Sequence, residues 1–281
     1  MRGKGASYLF SVATRLALKI IPSNKGLVFQ TLHHLDDTEF EWFADVLDYL
    51  QSNFGFVDIN NLEEHELTNK NRKKISIVLT FDDAFKCHKR IVDELLNPRQ
   101  IKALFFVPTK FVGLTGTKAF EFARERFFPK SVPKSLNGGT YDAMTWDDLN
   151  NLVKHGHIIG GHSESHPQLS KVPNTKLKHE IAGSADFLAS KIKVKIRHFA
   201  YPFGSIEAIS PESYLVAKER FEWAYSNIRG VFKDSPSKHF IYRQNLVPKS
   251  PLWLVKAIVE GRLDFIYRKK HTLAKRLFHS H

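Results

Sequence analysis

The chain has 281 residues, of which 42% are apolar, and it carries a formal net charge of +13. This length and apolar content suffice for one large buried core, so we expect a single domain. Its single cysteine, Cys87, excludes an intramolecular disulfide, and we interpret it as a small apolar residue of a predicted helix.

The positive charge is concentrated at the two ends of the chain. Residues 1–25 carry five Lys or Arg and no acid, and residues 251–281 carry seven against two, so the ends hold ten of the thirteen net charges. Both ends are amphipathic, which predicts helices that pack on the domain or make peripheral contact with an anionic membrane surface. No motif typical of nucleic-acid binding accompanies the charge, so no nucleic-acid partner is expected.

The N-terminus has one feature of a secretion signal and lacks the others. Arg2 and Lys4 precede an uncharged stretch, but Arg15 and Lys19 interrupt it, and no small-residue cleavage site follows. No segment is long enough to span a bilayer. We therefore expect a cytoplasmic protein, peripheral to the inner membrane face at most, and not a secreted one.

The rest of the sequence alternates predicted helices and strands. Apolar residues have helical spacing from Thr38 to Leu50, with Thr38 and Glu41 as the expected capping box, and Val57–Ile59 is strand-like. The next predicted elements are strand 75–79, helix 84–96, strand 103–107, helix 146–155, strand 157–160, helix 175–191 and strand 197–201. Such alternation predicts a parallel sheet, closed or nearly closed into a barrel.

One long insertion breaks this alternation. Residues 110–143 are rich in Gly, Pro, Lys and aromatic residues. A loop of this length on a barrel is typically a functional rim or lid, and a solvated insertion is the alternative.

Two aspartates and two histidines are spaced as a metal site requires. Asp82 and Asp83 follow the apolar strand 75–79, and neighbouring side chains on extended backbone diverge, so one can bind a metal while the other handles a proton. His162 and His166 are four residues apart, so both imidazoles can face one point. Two histidines and one carboxylate suit zinc or a similar divalent ion, and they also form the triad of non-haem iron oxygenases.

With these motifs the chain resembles the polysaccharide deacetylase family, the NodB-homology group of carbohydrate esterase family 4. The resemblance rests on blocks in the family order: Thr80-Phe81-Asp82-Asp83, 104–108, 144–146, His162-Ser163-Glu164-Ser165-His166 with its preceding strand, and 199–204. It implies one distorted (β/α) barrel of seven or eight strands over residues 26–250, flanked by the basic segments 1–25 and 251–281. It disfavours an iron oxygenase, which explains neither Asp82 nor the order of the blocks.

The resemblance also implies roles for the four site residues. Asp82 becomes the catalytic base, while Asp83, His162 and His166 bind one divalent ion, Zn²⁺ first, with Co²⁺, Mn²⁺ or Fe²⁺ as alternatives. The reaction would be metal-dependent removal of N-acetyl groups. The substrate would be an N-acetylated hexosamine in a polysaccharide, a lipid-linked glycan or a glycan precursor.

The Pro-aromatic-Gly turn around Pro202 departs from the family pattern. The family arginine that usually precedes this turn, and that holds the catalytic aspartate, is replaced by Ala200. Arg243 of a late strand is therefore the candidate partner of Asp82. Phe203 and Tyr201 are the candidates for oxyanion and substrate contact.

The proton donor is the second departure. The late Leu-x-His motif is missing after residue 220, but residues 26–35 resemble the N-terminal block of family members whose last motifs are circularly permuted to the front. This block places His33 as the general acid, with the adjacent His34 as its competitor. We expect the His33 imidazole on the side of the metal opposite Asp82. The two departures also leave open a catalytically weakened member of the fold that binds metal or sugar.

Overall fold

The computed structural model describes residues 18–61, 74–129 and 141–278. Most of the basic N-terminal segment, the centre of the predicted rim loop and the last three residues lie outside these ranges. Within the described ranges, no helix is long and apolar enough to cross a bilayer.

The centre of the fold is a sheet of parallel strands. The strands are, in chain order, β1 Gly26–Leu32, β2 Ile75–Phe81, β3 Ala103–Val107, β4 Ile158–Gly161, β5 His198–Ala200, β6 Trp223–Tyr225 and β7 Gln244–Asn245. Across the sheet, the described strands are ordered β6-β5-β4-β3-β2-β1-β7. Parallel neighbours need crossover connections, which helices supply here, as the alternating pattern predicted.

Helices cover the outside of this sheet. The helices of the described part are α1 Phe40–Asn53, α2 Cys87–Ile91, α3 Gly116–Arg126, α4 Trp146–Lys154, α5 Asn174–Lys178, α6 Ser184–Ile192, α7 Pro211–Arg220, α8 Leu252–Val259 and α9 Arg268–Phe278. A π-helical turn, Val92–Leu96, continues α2, and a second one, His179–Gly183, joins α5 to α6.

A short contact joins the two edges of the sheet. Tyr225 of β6 forms an isolated parallel bridge with Ile241, just ahead of β7, and β7 itself pairs with β1. Residues 241–245 therefore touch both outer strands. The predicted distorted barrel is confirmed, with seven strands whose carboxyl ends gather at one mouth.

Side chains along each strand alternate between the barrel interior and the helix layer. Ala200 and Ile241 belong to the apolar cluster inside the barrel. Their neighbours Tyr201 and Tyr242 pack in the larger core between sheet and helices. Because the period is two residues, the side chain of residue 243 points into the barrel, on the same side as position 200.

Three local predictions were wrong. The capping box lies two residues earlier than expected: Asp36 and Glu39 cap the 3-10 turn Asp37–Glu39 that precedes α1, and the Asp36 carboxylate accepts from the Thr38 amide. The strand-like Val57–Ile59 gives a single bridge from Phe56 to Ile77 followed by a 3-10 turn. The predicted rim loop contains a helix, α3.

The interior of the barrel leaves no room for a side chain at Gly160 of β4. A Cβ there would lie 2.7 Å from the Phe106 ring and 3.0 Å from the His198 carbonyl oxygen, whereas a Cβ at the adjacent Gly161 would meet its nearest neighbour at 3.5 Å. We expect Gly160→Ala to lower the free energy of unfolding by about 1–3 kcal/mol through overpacking. Urea unfolding measures this, with Gly161→Ala as the matched control; equal losses in both variants would contradict the packing shown by the structure.

Candidate active site

A buried ion pair between Asp82 and Arg243 lies at the mouth of the barrel. The Arg243 guanidinium donates to both carboxylate oxygens of Asp82, Nη1 to Oδ1 at 2.8 Å and Nη2 to Oδ2 at 2.7 Å. Its Nε donates to the Ser226 carbonyl at 2.7 Å, which fixes the plane of the guanidinium group. Both side chains are almost fully buried, so solvent screens this pair very little.

The alternation of the strands explains why Arg243 can serve Asp82. Asp82 follows Thr80 on the inward side of β2, and Arg243 points inward two residues after Ile241. The side chain at position 200 would point into the same interior but ends at Cβ, because it is alanine. The structure thus brings the candidate Arg243 to the carboxylate that the arginine of the family motif would hold.

This pairing keeps Asp82 ionised. Burial alone would raise the pKa of Asp82, but the Arg243 guanidinium, with a smaller contribution from His162, holds that pKa well below its usual range. Asp82 is therefore an anion near neutral pH. An anionic carboxylate can accept a proton.

Asp83, His162 and His166 converge on one point next to Asp82. Their ligand atoms all lie within 4.8 Å of one another, and the Nε2 atoms of His162 and His166 are 3.5 and 3.4 Å from Asp83 Oδ1. Among the described residues, Asp83 Oδ1 is buried and has no hydrogen-bond partner. Such a buried oxygen facing two ring nitrogens fits a cation between them.

The second nitrogen of each imidazole is already bonded. His162 Nδ1 donates to the Ala200 carbonyl at 2.7 Å, and His166 Nδ1 donates to the Arg126 carbonyl at 3.0 Å. These bonds select the tautomer with a free lone pair on Nε2, as in metal-binding histidines. Burial also lowers the pKa of His166 to about 4, so this ring is neutral at pH 7 and able to bind a metal.

The loop between the two histidines has an unusual backbone that Glu180 holds in place. Ser163 and His166 have φ of 65° and 53°, in the left-handed region. The Glu180 carboxylate accepts from the amides of Glu164 and Ser165 at 3.1 and 3.0 Å, and from the Ser165 hydroxyl at 2.7 Å. Glu180 was missed in the sequence, since it lies in the π-helical turn of a segment that pattern reading treats as one plain helix.

His33 lies in the same pocket, but not where it was expected. Its Nε2 is 3.6 Å from Asp82 Oδ2, and about a third of its side chain is exposed. The expectation that it faces the site from the side opposite Asp82 was wrong, because β1 and β2 are adjacent strands and their ends lie side by side. Buried His88 positions this residue, since its Nε2 donates to the His33 carbonyl at 2.6 Å.

The other candidates divide between pocket and core. The Phe203 ring lies against His166, with 4.8 Å between centroids, and it lines the pocket. His34 points elsewhere and stacks on Tyr141 at 4.9 Å. Tyr201 must be corrected as a substrate residue: its hydroxyl donates to the His239 carbonyl and its amide to the Tyr225 carbonyl. Strand alternation turns Tyr201 toward the helices.

A small pocket joins these residues, and an apolar groove adjoins it. The pocket has a volume of about 150 Å³ and is lined by His33, Asp82, Asp83, Phe127, Phe128, His162, His166, Phe203 and Asn227. The groove, about 310 Å³, shares Phe127, Phe128 and Phe203 and continues past Ser205 and Ala208. A larger cavity of about 440 Å³ opens at the amino ends of β4 to β6 and contains none of the predicted site residues.

Comparison with known protein families identifies the chain. The family model for polysaccharide deacetylase matches residues 69–220, more than half of the sequence. The protein therefore belongs to the polysaccharide deacetylase family, the NodB-homology type of carbohydrate esterase family 4, as the motifs predicted. His33 precedes the matched range, so its origin in a circularly permuted block stays a prediction. A comparison with curated proteins gives no match.

Solved structures share the fold. IcaB from Ammonifex degensii is 21% identical, with a TM-score of 0.65 over 85% of this chain and 98% of that one. The Streptococcus pyogenes deacetylase PplD in complex with acetate is 17% identical, with a TM-score of 0.63 over 84% and 99%. A de-N-acetylase from Aggregatibacter actinomycetemcomitans is 13% identical, with a TM-score of 0.62 over 83% and 99%. At these identities, the likeness establishes the common fold.

The buried pair makes a testable contribution to stability. Replacing Arg243 by Gln leaves Asp82 charged, buried and unpaired, so we expect a loss of about 3–5 kcal/mol in the free energy of unfolding at neutral pH. The pH dependence has a definite sign. In the wild type, the lowered pKa of Asp82 contributes stability above its unfolded value, and this contribution is lost as pH falls through the folded pKa. In the variant, burial raises that pKa, so acid pH relieves the penalty and the difference from wild type shrinks.

Urea unfolding at neutral and mildly acidic pH measures both effects. The far more exposed pair Arg99–Asp48 is also joined by two hydrogen bonds, from Nε and Nη2 at 2.6 and 3.0 Å, and Arg99→Gln should cost less than about 1 kcal/mol. Adding Asp82→Asn to Arg243→Gln should recover stability, because no charge then remains unpaired. A pH-independent loss, or no recovery in the double variant, would contradict the pairing.

Proposed function

We propose that the protein is a divalent-metal-dependent hydrolase that removes N-acetyl groups from an amino sugar in a glycan. The observation that carries this proposal is the convergence of Asp83, His162 and His166 around a buried oxygen that has no hydrogen-bond partner among the described residues, directly beside an aspartate kept anionic by Arg243. Family membership supports the acyl chemistry. One of the structural neighbours is a de-N-acetylase, which agrees with the amide as the bond that is cleaved.

The donor set fits a borderline divalent ion, with zinc as the first choice. Two neutral imidazole nitrogens and one carboxylate form the open three-ligand arrangement of hydrolytic zinc sites, and Co²⁺, Mn²⁺ or Fe²⁺ suit the same donors. When bound, such an ion lowers the pKa of a water to about 7 and polarises an acyl oxygen. The geometry supports Asp83 as the ligand, because its Oδ1 faces both rings, whereas both oxygens of Asp82 accept hydrogen bonds from Arg243.

Asp82 acts as the general base in this proposal. As a water oxygen forms its bond to the acyl carbon, Asp82 accepts the proton that the water loses. Arg243 holds the carboxylate in one orientation. Arg243 also keeps the Asp82 carboxylate ionised, so it is ready to accept a proton. The same two hydrogen bonds make the carboxylate less basic, so Asp82 readily releases the proton after each turnover.

His33 supplies the proton for the departing nitrogen. An amide nitrogen leaves only when it is protonated, and His33 is the pocket imidazole that is not among the three metal-site residues. The products are acetate and a free amine. Because His33 and Asp82 lie on neighbouring strand ends, His33 can protonate the nitrogen of the same amide whose carbonyl carbon receives the water that Asp82 deprotonates.

Phe203 and Asn227 are positioned to hold the substrate. The Phe203 amide, on a turn with φ of 61°, is proposed as a donor to the oxygen that becomes negative in the transition state. Asn227 Oδ1 is buried in the described structure without a hydrogen-bond partner and can accept from the substrate. The pocket of about 150 Å³ is smaller than a typical small-molecule site of about 300–1,000 Å³, so only the acetamido end enters. The sugar then lies along the aromatic groove.

A non-catalytic metal- or sugar-binding member of the family was the alternative. Its two grounds were Ala200 and the missing late histidine. Arg243 contacts the Asp82 carboxylate despite Ala200, and His33 lies in the pocket.

The proposed setting is the cytoplasmic side of the membrane, on a polymer, a lipid-linked glycan or a precursor. Acetate release from a panel of N-acetylated glycans, with zinc, cobalt, manganese or iron added, tests the proposed reaction; release from none of them would favour the alternative.

The two adjacent aspartates should respond differently to substitution. Asp83→Ala and His166→Ala should lose bound metal and activity together, because each removes a ligand. Asp82→Asn should keep the metal and lose turnover. Metal content by mass spectrometry and acetate release measure the two properties separately. The exposed His155, whose ring bonds to the Asn151 carbonyl at the end of α4, gives the control His155→Ala, which should change neither. An empty site in Asp82→Asn would show that the two aspartates are assigned the wrong way round.

The two adjacent histidines should differ as well. His33→Ala should lower kcat by about 10²–10⁴ with the metal still bound, because the amine then leaves without its proton donor. His34→Ala should have a much smaller effect, since its ring stacks on Tyr141 outside the pocket. Near-normal turnover by His33→Ala would rule His33 out as the general acid.

A further inference from the structure

The last helix carries an outward surface that combines apolar and basic side chains. Leu273 and Leu277, one turn apart on α9, are 42% and 45% exposed, and Ile266 just before the helix is 64% exposed. The exposed Lys269, Lys270 and Arg276 surround them. We call Ile266, Lys269, Lys270, Leu273, Arg276 and Leu277 the basic apolar face.

This surface is not needed to attach α9 to the barrel. The opposite side of the helix makes that attachment: Ala274 and Phe278 are buried, and the Phe278 ring stacks on Phe240 at 4.4 Å. His271 stacks on Tyr242 at 4.6 Å. The helix is therefore fixed in orientation by its inner side. Its outer leucines contribute exposed apolar area that the fold itself does not use.

The charge around these leucines points to one kind of partner. Residues 265–281 contain five Lys or Arg and no Asp or Glu. A second copy of the chain placed on this face would bring the same cations together, so self-association is disfavoured. Leucines surrounded by lysine and arginine suit an interface where apolar side chains enter hydrocarbon while cations meet anionic headgroups. We propose that the basic apolar face docks on an anionic lipid bilayer.

The end of the N-terminal segment packs against the segment that precedes α9. Arg262, a few residues before α9, donates to the carbonyls of Leu18 and Lys19 at 2.9 and 3.0 Å. These bonds attach the N-terminal segment to the C-terminal one. Ile20, which is 84% exposed, and the exposed Lys19 form a second apolar and basic pair outside the basic apolar face.

The inner side of α9 connects this helix to the loop that reaches the pocket. His271 donates through Nε2 to the Arg229 carbonyl at 2.7 Å. Arg229 lies two residues after Asn227, which lines the pocket. Docking of the basic apolar face would hold the protein at the bilayer surface, and the consequence that it then acts on membrane-associated glycans rests on the proposed function.

Vesicle binding of the full chain tests the docking surface without any substrate. The protein should co-sediment with vesicles of phosphatidylcholine mixed with phosphatidylglycerol, and added salt should weaken binding. The triple variant Lys269→Gln/Lys270→Gln/Arg276→Gln should bind about 100-fold more weakly, because each cation near an anionic surface contributes about fivefold. Leu273→Ser/Leu277→Ser should weaken binding about tenfold or more. Because this variant loses apolar contact and no charge, the loss should not depend on the salt concentration.

A matched control removes the same charge elsewhere. Lys118→Gln/Lys154→Gln/Lys191→Gln changes three exposed lysines on α3, α4 and α6 and should retain most of the binding. Equal losses in both triple variants would show that binding depends only on the net charge of the protein, which would contradict the proposed docking surface. Wild-type binding by the leucine variant would overturn it too. A leucine variant that instead changes oligomeric state would assign the surface to a protein contact. Turnover of a soluble substrate should be unchanged in all these variants, so failure here is distinct from failure of the proposed reaction.

Discussion

The buried pair between Arg243 and Asp82 is the interaction on which the rest of the site depends. Burial alone would raise the pKa of a carboxylate inside an apolar barrel, because it disfavours the charged form. The guanidinium group of Arg243 outweighs this effect of burial: it lowers the pKa of Asp82 and holds the carboxylate as an anion in one orientation. Since both oxygens of Asp82 face the guanidinium, its neighbour Asp83 is the aspartate left to meet the two histidines.

The division between the two aspartates follows from backbone geometry. β2 ends at Phe81, and Asp83 has a φ of 77°, so the chain turns sharply between the two carboxylates. Asp82 continues the inward alternation of β2, and the turn directs Asp83 toward His162 and His166. The histidine loop has its own left-handed residues and depends on Glu180 for its shape. Strained backbone on both sides thus supports one pocket, which is typical of functional sites.

The grouping of side chains within short motifs was predictable from the sequence, because residues only one to four positions apart must lie close together in space. Asp82, Asp83, His162 and His166 are of this kind, and so is the alternation that specifies the barrel. Tyr201 was misplaced although strand periodicity alone would have turned it away from Ala200 and the interior. The position of His33 next to Asp82 required knowing that β1 and β2 are neighbours.

Other contributions could not be found by reading the chain. Glu180 and His88 act on residues distant in sequence, through bonds to backbone groups that no side-chain pattern reveals. Arg243 was only a candidate, because the bridge that closes the barrel and brings residues 241–245 to the mouth is a single long-range contact. Asn227 reaches the pocket from the loop after β6, in a segment without any motif.

The most direct test of the central assignment is a crystal structure of the zinc-loaded protein, with anomalous scattering used to locate the ion. We expect one ion bound by Asp83, His162 Nε2 and His166 Nε2 at about 2.0–2.2 Å, with Asp82 still paired to Arg243. An ion bound by Asp82, or a crystal in which zinc lies only outside this pocket, would contradict the division of roles between the two aspartates.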